Sequence, residues 1–362
     1  MINKNFLQEA NILDMSREIF NSVVGEDLKV ETRFQLLSNK IQDAENINFI
    51  LADGLGFLNL QSTDSFLNEY VKNSINTTFP SSTNVALATI AMLKSPIDHG
   101  IFGYYMYDKI KFGLINALNW NAENKNLLVS KYFNSQSSIW SIFKENNIHT
   151  SNFQPKNLIN TPLSKFLYEE KSTFPYIDQD DLLITLSDAL FLENKFNFIY
   201  YPNIDVSAHV FGVNSDEWNK ELKKFEDLIK KITELSNKKS YTVISADHGL
   251  SNIPKKNRFH LSHKETIDIF GDQRSVYING PKNNVAKAFA NIPGQLIDRS
   301  ELNHLLPEPK NDFIESLYPD YCFLVNDKNI IYPHHLKTEL AGYHGGLSKE
   351  EIKIPIIEIS NF

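Results

Sequence analysis

Three aspartates stand at the ends of three short apolar runs of the sequence. Asp53, Asp205 and Asp247 each follow or close such a run. The runs are INFILADGLG (47–56), FNFIYYPNID (196–205) and SYTVISADHG (240–249). Short runs rich in apolar, β-branched and aromatic residues predict buried strands. Because ligands of open α/β sheets bind at the carboxyl ends of the strands, we expect the three carboxylates to share one site.

Three histidines accompany these aspartates or lie in a glycine-rich loop. His209 follows the second aspartate by four residues, which puts both on one face if a helix begins there. His248 is adjacent to the third aspartate, and His344 lies in the stretch GYHGGLS. Three carboxylates and three imidazoles suffice for two zinc ions that each keep an open position. Two ions about 4 Å apart would clamp an in-line displacement at phosphorus, so the combination favours a metal site although each pair alone is a weak signal.

A nucleophile for such a reaction is available in the stretch TTFPSSTNVALATIAML (77–93). The hydroxyl residues there are Thr78, Ser81, Ser82 and Thr83. The residues from Asn84 onward have apolar side chains at helical spacing and predict a helix whose N-cap region is 81–84. A helix N-terminus offers free N–H groups to a phosphoryl oxygen, and a hydroxyl held there at a metal can act as the nucleophile. The alternative is that these hydroxyls only cap the helix.

The remaining pattern predicts the elements that position this chemistry. Residues 216–238 carry apolar side chains at helical spacing between two predicted strands, which indicates a βαβ unit and a largely parallel sheet. We expect an N-terminal lead-in over 1–42, docked through Phe20, Val23 and Val24. A catalytic core is expected over 43–252 and 336–362, closed by a last buried strand, with a small inserted subdomain over 253–335.

Composition narrows the possible partners. The 362 residues carry 36 Lys and Arg against 44 Asp and Glu, a net charge of −8, which argues against an extended nucleic-acid surface. A small anionic substrate stays possible, because bound metal reverses the local field. The single cysteine, Cys322, excludes an intrachain disulfide and an all-cysteine zinc site. The first residues do not read as a signal peptide and no apolar run is long enough for a bilayer, so we expect a cytoplasmic protein without a membrane partner.

The motifs in chain order resemble the alkaline phosphatase superfamily. They are ADGLG, FPSSTNVALAT with SPIDHGIFGY, YYPNIDVSAHVFG, SADHGL and GYHGGLS. The resemblance extends from about residue 47 to 359 and is closest to the nucleotide pyrophosphatase/phosphodiesterase branch, particularly its bacterial alkaline-phosphatase-family members. It implies an α/β fold, a three-layer sandwich with a largely parallel central sheet.

The resemblance also assigns roles to residues. One divalent ion would be held by Asp205, His209 and His344, and the other by Asp53, Asp247 and His248, with zinc expected and manganese as the alternative. Thr83 matches the nucleophile, because only Thr83 keeps the family's distance to His99-Gly100. The backbone N–H of Asn84 would hold a phosphate oxygen. Tyr104 stands where eukaryotic members have a phosphate-binding Asn, and Ala91 stands where the family has Gly.

Several other residues are interpreted as structural. His99 is expected to be a turn residue, and the pairs His260/His263 and His334-His335 are expected at the surface, because six ligands already account for two ions. The aromatic residues after His99 either stack on a base or pack the core. They are Phe102, Tyr104, Tyr105 and Tyr107.

The mechanism implied by the resemblance is a two-metal in-line displacement through a covalent phosphothreonine-type intermediate. The expected substrate is a small, nucleotide-like phosphodiester or pyrophosphate, and the Thr nucleophile argues against a sulfatase. A phosphonate or phosphomonoester hydrolase on the same scaffold is the alternative. A monoesterase would need extra cations, which Lys264 or Arg274 of the insert could supply after folding. A non-hydrolytic phosphate-binding protein is disfavoured by the intact set of ligands.

Overall fold

The computed structural model describes residues 3–111, 113–122, 137–168, 170–190, 195–236, 239–261, 266–333 and 339–361. Its helices are α1 (Ile12–Val23), α2 (Phe57–Gln61), α3 (Thr83–Met92), α4 (Pro96–His99), α5 (Ile139–Glu145), α6 (Pro162–Leu167), α7 (Gln179–Leu190), α8 (Asn203–Phe211), α9 (Asp216–Leu235), α10 (Lys282–Phe289), α11 (Arg299–Leu302), α12 (Asp312–Leu317) and α13 (Lys349–Ile352).

The strands fall into two seven-stranded sheets and two short pairs. They are β1 (Asn46–Ala52), β2 (Val71–Asn76), β3 (Tyr105–Asp108), β4 (Gly113–Asn116), β5 (Asn121–Ala122), β6 (Thr150–Pro155), β7 (Thr173–Tyr176), β8 (Phe196–Tyr201), β9 (Ser240–Ser245), β10 (Ser251–Asn252), β11 (Arg258–His260), β12 (Asp268–Gly271), β13 (Ser275–Asn279), β14 (Gly294–Asp298), β15 (Tyr321–Val325), β16 (Ile330–Tyr332), β17 (Gly342–Tyr343) and β18 (Lys353–Ser360).

The central sheet has the order β2-β18-β9-β1-β8-β6-β7. Strand β1 lies between β8 and β9 and pairs in parallel with both, and β6 pairs in parallel with β7 and β8. Every residue of β1, β8 and β9 is buried, as expected for parallel strands covered on both faces. The predicted strands, the βαβ unit and the largely parallel sheet are therefore confirmed.

Helices cover both faces of this sheet. On one face, side chains of α1, α3 and α5 line a small cavity together with Phe49 and Phe196. On the other, Phe225 of α9 packs against Tyr201, with ring centroids 5.1 Å apart. Because successive strand residues alternate between faces, Phe196 and Tyr201 of the same strand point to opposite sides. The result is a layer of strands between two layers of helices.

The last strand returns to the central sheet, as the sequence predicts. Strand β18 lies between β2 and β9 and is antiparallel to both. Helix α13 immediately precedes it, and the glycine-rich loop after β17 precedes that helix. The loop that carries His344 is therefore anchored at the carboxyl ends of the parallel strands by its own sheet strand.

A second sheet is antiparallel throughout and has the order β14-β15-β13-β12-β3-β4-β5. Four of its strands come from the predicted insert, and three come from residues 105–122. The pairing of β3 with β12 joins these two distant stretches of the chain at Tyr105 and Gly271. The sheet is thus built from more of the chain than the segment 253–335.

The N-terminal stretch packs onto the main core. Phe20, Val23 and Val24 are buried, and the Phe20 ring stacks on Phe143 at 5.6 Å. Helix α1 begins with a capping box between Asn11 and Asp14. Among the described residues, none of the helices combines the length and apolar character that crossing a bilayer requires.

Candidate active site

Five of the six predicted ligands are held directly after three adjacent parallel strands. Asp53 follows β1, Asp247 and His248 follow β9, and Asp205 lies in the first turn of α8, which follows β8. His209 lies one turn further along α8, so the helix presents both side chains to the same side. The helix that the Asp-x-x-x-His spacing required is therefore present.

Distances between ligand atoms place these side chains in one cluster. His209 Nε2 lies 3.4 Å from Asp205 Oδ2. His248 Nε2 lies 3.2 Å from Asp247 Oδ2 and 3.6 Å from Asp53 Oδ1. Ligand atoms of Asp53, Asp247 and His248 all lie within 4.8 Å of one another.

His344 joins the cluster from the loop before α13. Its ring stacks on His248, with centroids 3.6 Å apart, and lies 5.1 Å from the ring of His209. A second group of ligand atoms within 4.8 Å comprises Asp205, His248 and His344. His248 thus lies between the two groups, whereas the resemblance assigns it to the ion of Asp53 and assigns His209 to the other.

Each histidine of the cluster is oriented by a main-chain carbonyl. The Nδ1 atoms of His209 and His344 lie 2.8 Å from Gly342 O and Ser81 O, and Nδ1 of His248 lies 3.3 Å from Gly249 O. A carbonyl only accepts, so Nδ1 carries the proton and donates it. The Nε2 lone pairs are then free to face the carboxylates, the orientation that a hydrogen bond from the other ring nitrogen gives metal-binding imidazoles.

Each carboxylate of the cluster has one oxygen that lacks a hydrogen-bond partner. Asp53 Oδ1, Asp205 Oδ1 and Asp247 Oδ2 are buried without a hydrogen-bond donor. Burial and the neighbouring carboxylates raise the pKa of Asp53, and burial raises the pKa of Asp205 to about 6. Burial lowers the pKa of His248 to about 3, so its ring is neutral. The carboxylate oxygens and imidazole nitrogens that face one another in this buried site are both acceptors. Divalent cations, which bind oxygen and nitrogen ligands, fit such a site.

Thr83 is the hydroxyl that faces this cluster. It is the first residue of α3, and its Oγ1 lies 3.0 Å from His248 Nε2. The other candidates are engaged elsewhere. Ser81 Oγ donates to Gly346 O, and Thr78 Oγ1 donates to Pro80 O. Ser82 is the N-cap residue of α3, but its side chain makes no capping bond and instead donates to Asn84 Oδ1.

The two predicted substrate contacts border the same space. The Asn84 side chain is buried and donates to Gly103 O, so its backbone N–H, near the free start of α3, is the group available to a ligand. Tyr104 lines the cavity beside Thr83, and its ring meets Tyr105 edge-on at 5.0 Å. Burial raises the pKa of Tyr104, so its hydroxyl stays protonated.

A cavity of about 560 Å³ opens from the cluster. Its lining includes the candidate nucleophile and four of the predicted ligands: Thr83, Asp53, Asp205, His209 and His344. Its walls combine aliphatic, aromatic and amide side chains: Leu87, Leu118, Leu158, Leu163, Leu167, Ile177, Val206, Tyr104, Tyr168, Tyr176, Tyr200, Asn119, Gln154, Asn157 and Asn203. The described lining contains no Lys or Arg.

The remaining sequence candidates lie apart from this cluster. His99 is buried, with its Nε2 3.0 Å from Thr89 Oγ1 and its Nδ1 accepting from Ile101 N, and burial lowers its pKa to about 3. His260 is exposed and stacks on Tyr332. Arg274 is buried and paired with Glu351, so it does not line the cavity.

Four of the sequence candidates fall outside the described residues. They are His263, Lys264, His334 and His335. Of the aromatic candidates, Phe102 is fully buried against Tyr277, which favours its core role.

Some supporting residues were not found from the sequence. Tyr200 donates its hydroxyl to Asp53 Oδ2, and Thr77 donates to the carbonyl oxygen of Asp247. Burial and the Asp53 charge raise the pKa of Tyr200 well above its ordinary value, so it acts as a donor. Tyr200 lies among apolar strand residues and Thr77 among other hydroxyl residues, so the sequence does not distinguish either one as a partner of the aspartates.

Family comparison defines the class of protein. The family model for type I phosphodiesterase / nucleotide pyrophosphatase matches residues 49–319. The chain therefore belongs to this family of the alkaline phosphatase superfamily, as its motifs predict, and is a hydrolase of phosphoester or pyrophosphate bonds. No protein of curated function matches the sequence.

Solved structures with the same fold include two kinds of enzyme. Murine ectonucleotide pyrophosphatase/phosphodiesterase 5 is 16% identical, with a TM-score of 0.67 over 86% of this chain and 87% of that one. Its inactive threonine-to-alanine variant was solved with AMP, at 15% identity and a TM-score of 0.67 over 86% and 87% of the chains. Phosphonoacetate hydrolase from Sinorhizobium meliloti, solved with phosphonoacetate, is 13% identical, with a TM-score of 0.64 over 86% and 89% of the chains.

Proposed function

We propose that the protein hydrolyses a small nucleotide-like phosphodiester or pyrophosphate, with Thr83 as the nucleophile. The observation that carries this proposal is the position of Thr83, which lines the cavity and whose Oγ1 lies 3.0 Å from His248 Nε2. Two divalent cations, zinc before manganese, would be held by the six clustered ligands: Asp53, Asp205, His209, Asp247, His248 and His344. When bound, they would supply a lowered pKa for the attacking hydroxyl and stabilisation of the charge on the leaving oxygen.

The reaction follows from the residues around Thr83. The Thr83 hydroxyl loses its proton, its oxygen attacks phosphorus as the bond to the leaving oxygen breaks in line, and the leaving oxygen takes up a proton. The chain then carries a phosphothreonine-type intermediate in which the phosphoryl group keeps its remaining ester substituent. Water then attacks the same phosphorus, the bond to Thr83 Oγ1 breaks, and the hydroxyl is restored. The N–H groups of Thr83 and Asn84, at the start of α3, would hold phosphoryl oxygens in both steps.

The cavity supports a substrate with an uncharged organic group on the phosphate. Its wall offers tyrosine rings, among them Tyr104, and amides at Asn119, Gln154 and Asn157, which suit a base and a sugar. The structural relative solved with AMP is consistent with this choice. A phosphomonoester dianion would find no Lys or Arg in the described lining. The phosphonate alternative rests on the fold of phosphonoacetate hydrolase alone.

A substrate panel tests the proposal. Purified protein is assayed with p-nitrophenyl-TMP, bis-p-nitrophenyl phosphate, p-nitrophenyl phosphate and a phosphonate ester, before and after chelation and with zinc or manganese restored. We expect the diesters to be cleaved fastest, only in the metal-loaded protein. A faster monoester or phosphonate reaction would replace the diesterase assignment, and full activity after metal removal would exclude the two-metal mechanism.

Ser164→Ala serves as the matched control for Thr83→Ala in the same panel. Both residues line the cavity and carry a hydroxyl, but Ser164 belongs to α6 and bonds to Thr161. We expect the control to keep most of the diesterase activity, because it leaves the metal cluster untouched.

A further inference from the structure

The two glycines after His344 have all four of their main-chain polar atoms bonded. Gly345 N donates to Ser81 Oγ, and Gly345 O accepts from Ser275 Oγ. Gly346 N donates to Glu351 Oε1 at 3.0 Å, and Gly346 O accepts from Ser81 Oγ. The loop that follows His344 is therefore held from several sides.

The carboxylate that accepts from Gly346 N is also part of a buried ion pair, with Arg274 in the turn between β12 and β13. Arg274 Nε and Nη2 donate to Glu351 Oε1 and Oε2 at 2.6 and 2.7 Å, and both side chains are almost fully buried. Arg274 Nη1 also donates to Asn329 O. A buried pair contributes little net stability after desolvation, but removing one partner leaves an unpaired buried charge. The contact with Arg274 fixes the position of the Glu351 carboxylate, which also accepts from the N–H groups of Gly346 and Ser348.

The turn that carries Arg274 and Ser275 also touches the nucleophile segment. Asp272, in the same turn, accepts from Tyr104 N at 3.0 Å and lies within hydrogen-bonding reach of the Ser82 hydroxyl. Gly345 has a φ of +101°, and a Cβ there would lie 2.8 Å from Asp272 Cβ. The turn 272–275 is thus in contact with the residues next to Thr83 and next to His344.

We propose that Arg274, Ser275 and Glu351 are positioning residues for the metal site, through the Gly345–Gly346 loop. Ser275 and the ion pair fix the two peptide groups after His344, and Ser81 O fixes its Nδ1 proton, so that Nε2 is held toward Asp205 and His248. The second sheet thereby sets the affinity of the site for its cations. The proposal rests on the proposed function only in taking His344 as a ligand.

Zinc affinity measured by calorimetry on the metal-free protein tests this role without any assay of activity. Ser275→Ala and Arg274→Lys are the variants, since Lys cannot make the two-pronged contact of Arg. We expect about 10- to 100-fold weaker zinc binding in at least one of the two sites, the loss typical when a residue that orients a metal ligand is replaced. Ser275→Ala removes only one hydroxyl, so it decides the question if Arg274→Lys does not fold.

Matched controls come from α11 and α12, two short helices that contact the same sheet. Arg299 makes an equivalent two-pronged pair with Glu315, but that pair is exposed, and Ser300 bonds to Asp298. Arg299→Lys and Ser300→Ala are expected to bind zinc as the wild type does. If these controls weaken zinc binding by the same factor, the effect is not specific to the contacts of Arg274 and Ser275, and the proposal is overturned.

A kinetic readout separates positioning from loss of folded protein. For Ser275→Ala, raising the zinc concentration should restore kcat toward the wild-type value, with KM for bis-p-nitrophenyl phosphate unchanged. Wild-type zinc affinity in both Ser275→Ala and Arg274→Lys would overturn the proposal. If the wild type binds two zinc ions but cleaves no substrate of the panel, the proposed function fails while the calorimetric comparison still decides the positioning role.

Discussion

Thr83 Oγ1 and His248 Nε2 lie 3.0 Å apart, although 165 residues separate them in the chain. The same nitrogen lies 3.2 Å from Asp247 Oδ2. A hydroxyl at the start of a helix therefore shares its immediate surroundings with groups that bind divalent cations. This relationship makes Thr83, and no other hydroxyl of its segment, the residue to test first.

Replacing Thr83 by Ala should reduce kcat for p-nitrophenyl-TMP by about 1,000-fold or more, because the group that forms the covalent intermediate is lost. Thr83→Ser keeps an attacking oxygen and should retain measurable turnover. Acid quenching during turnover, followed by mass spectrometry of the peptide that contains residue 83, should detect a thymidylyl group on the wild-type peptide and none on the Thr83→Ala peptide. Unchanged kcat in Thr83→Ala would remove Thr83 from the mechanism.

Zinc should raise the melting temperature of the chelated protein, because it binds the folded cluster and not the unfolded chain. At a free concentration of 100 times the Kd, the stabilisation is about 2.7 kcal/mol. His344→Ala should reduce the response in differential scanning calorimetry. His260→Ala, a change at an exposed histidine outside the cluster, should leave it intact, and an equal loss in both variants would contradict the ligand assignment.

The Asp272 carboxyl should make stability depend on pH. Burial raises its pKa from the ordinary value of 3.8 to about 7, so the folded state binds the proton more tightly than the unfolded state does. Its contribution to stability is complete below pH 3.8 and is lost as pH rises to about 7, at most roughly 4 kcal/mol. Asp272→Asn removes this titration.

The free energy of unfolding measured in urea should therefore differ between wild type and Asp272→Asn by an amount that changes with pH. As pH rises from about 4.5 to about 7.5, the free energy of unfolding of the wild type should decrease relative to that of the variant. Both proteins are measured in chelator, so that the metal ligands titrate alike in the two. A difference that stays constant across this range would contradict the raised pKa.

Gly249→Ala should destabilise the protein and weaken zinc binding, because there is no room for a Cβ beside His248. That atom would lie 2.1 Å from Glu350 O and 2.7 Å from Gly56 Cα, both main-chain atoms. We expect a loss of roughly 1–3 kcal/mol in the free energy of unfolding. Gly25→Ala is the control, since a Cβ at Gly25 meets nothing within 4 Å. Equal unfolding midpoints for the two variants would refute the close packing.

Tyr104→Ala should raise KM for a nucleotide substrate more than for a small one. Its ring lines the cavity beside Thr83, and an aromatic stack contributes about 0.5–1.5 kcal/mol, or up to about ten-fold in KM. The comparison uses p-nitrophenyl-TMP and methyl p-nitrophenyl phosphate. Tyr70→Ala, at an exposed tyrosine outside the cavity lining, is the control. A parallel change for both substrates would argue against stacking on a base.

Much of the central sheet and the cluster could be predicted from local sequence. The runs that end near Asp53, Asp205 and Asp247 form strands β1, β8 and β9, and these strands are neighbours. Apolar runs predict buried strands, and parallel pairing brings their carboxyl ends to one edge. The spacing of His209 from Asp205 predicts a common face if a helix begins there, and the structure has that helix, α8.

The second sheet could not be predicted to the same extent. The pairing of β3 with β12 joins Tyr105 to Gly271, and nothing in the short strands of either stretch specifies the other as a partner. Strand pairing over such separations is selected by packing in the folded chain rather than by local pattern. The burial of Arg274 against Glu351 is another contact between distant segments, and it removes Arg274 from the cations available to a substrate.

The sequence by itself determined the chemistry: three carboxylates, three imidazoles and a hydroxyl at the start of a helix, in the order of a known family. Only the tertiary structure decided how these groups are oriented. His344 depends on Ser81, 263 residues away, for its Nδ1 partner, and the following loop depends on Ser275 and Glu351. The sequence specifies which side chains are present. The hydrogen bonds that orient them join distant segments that meet only when the two sheets have formed.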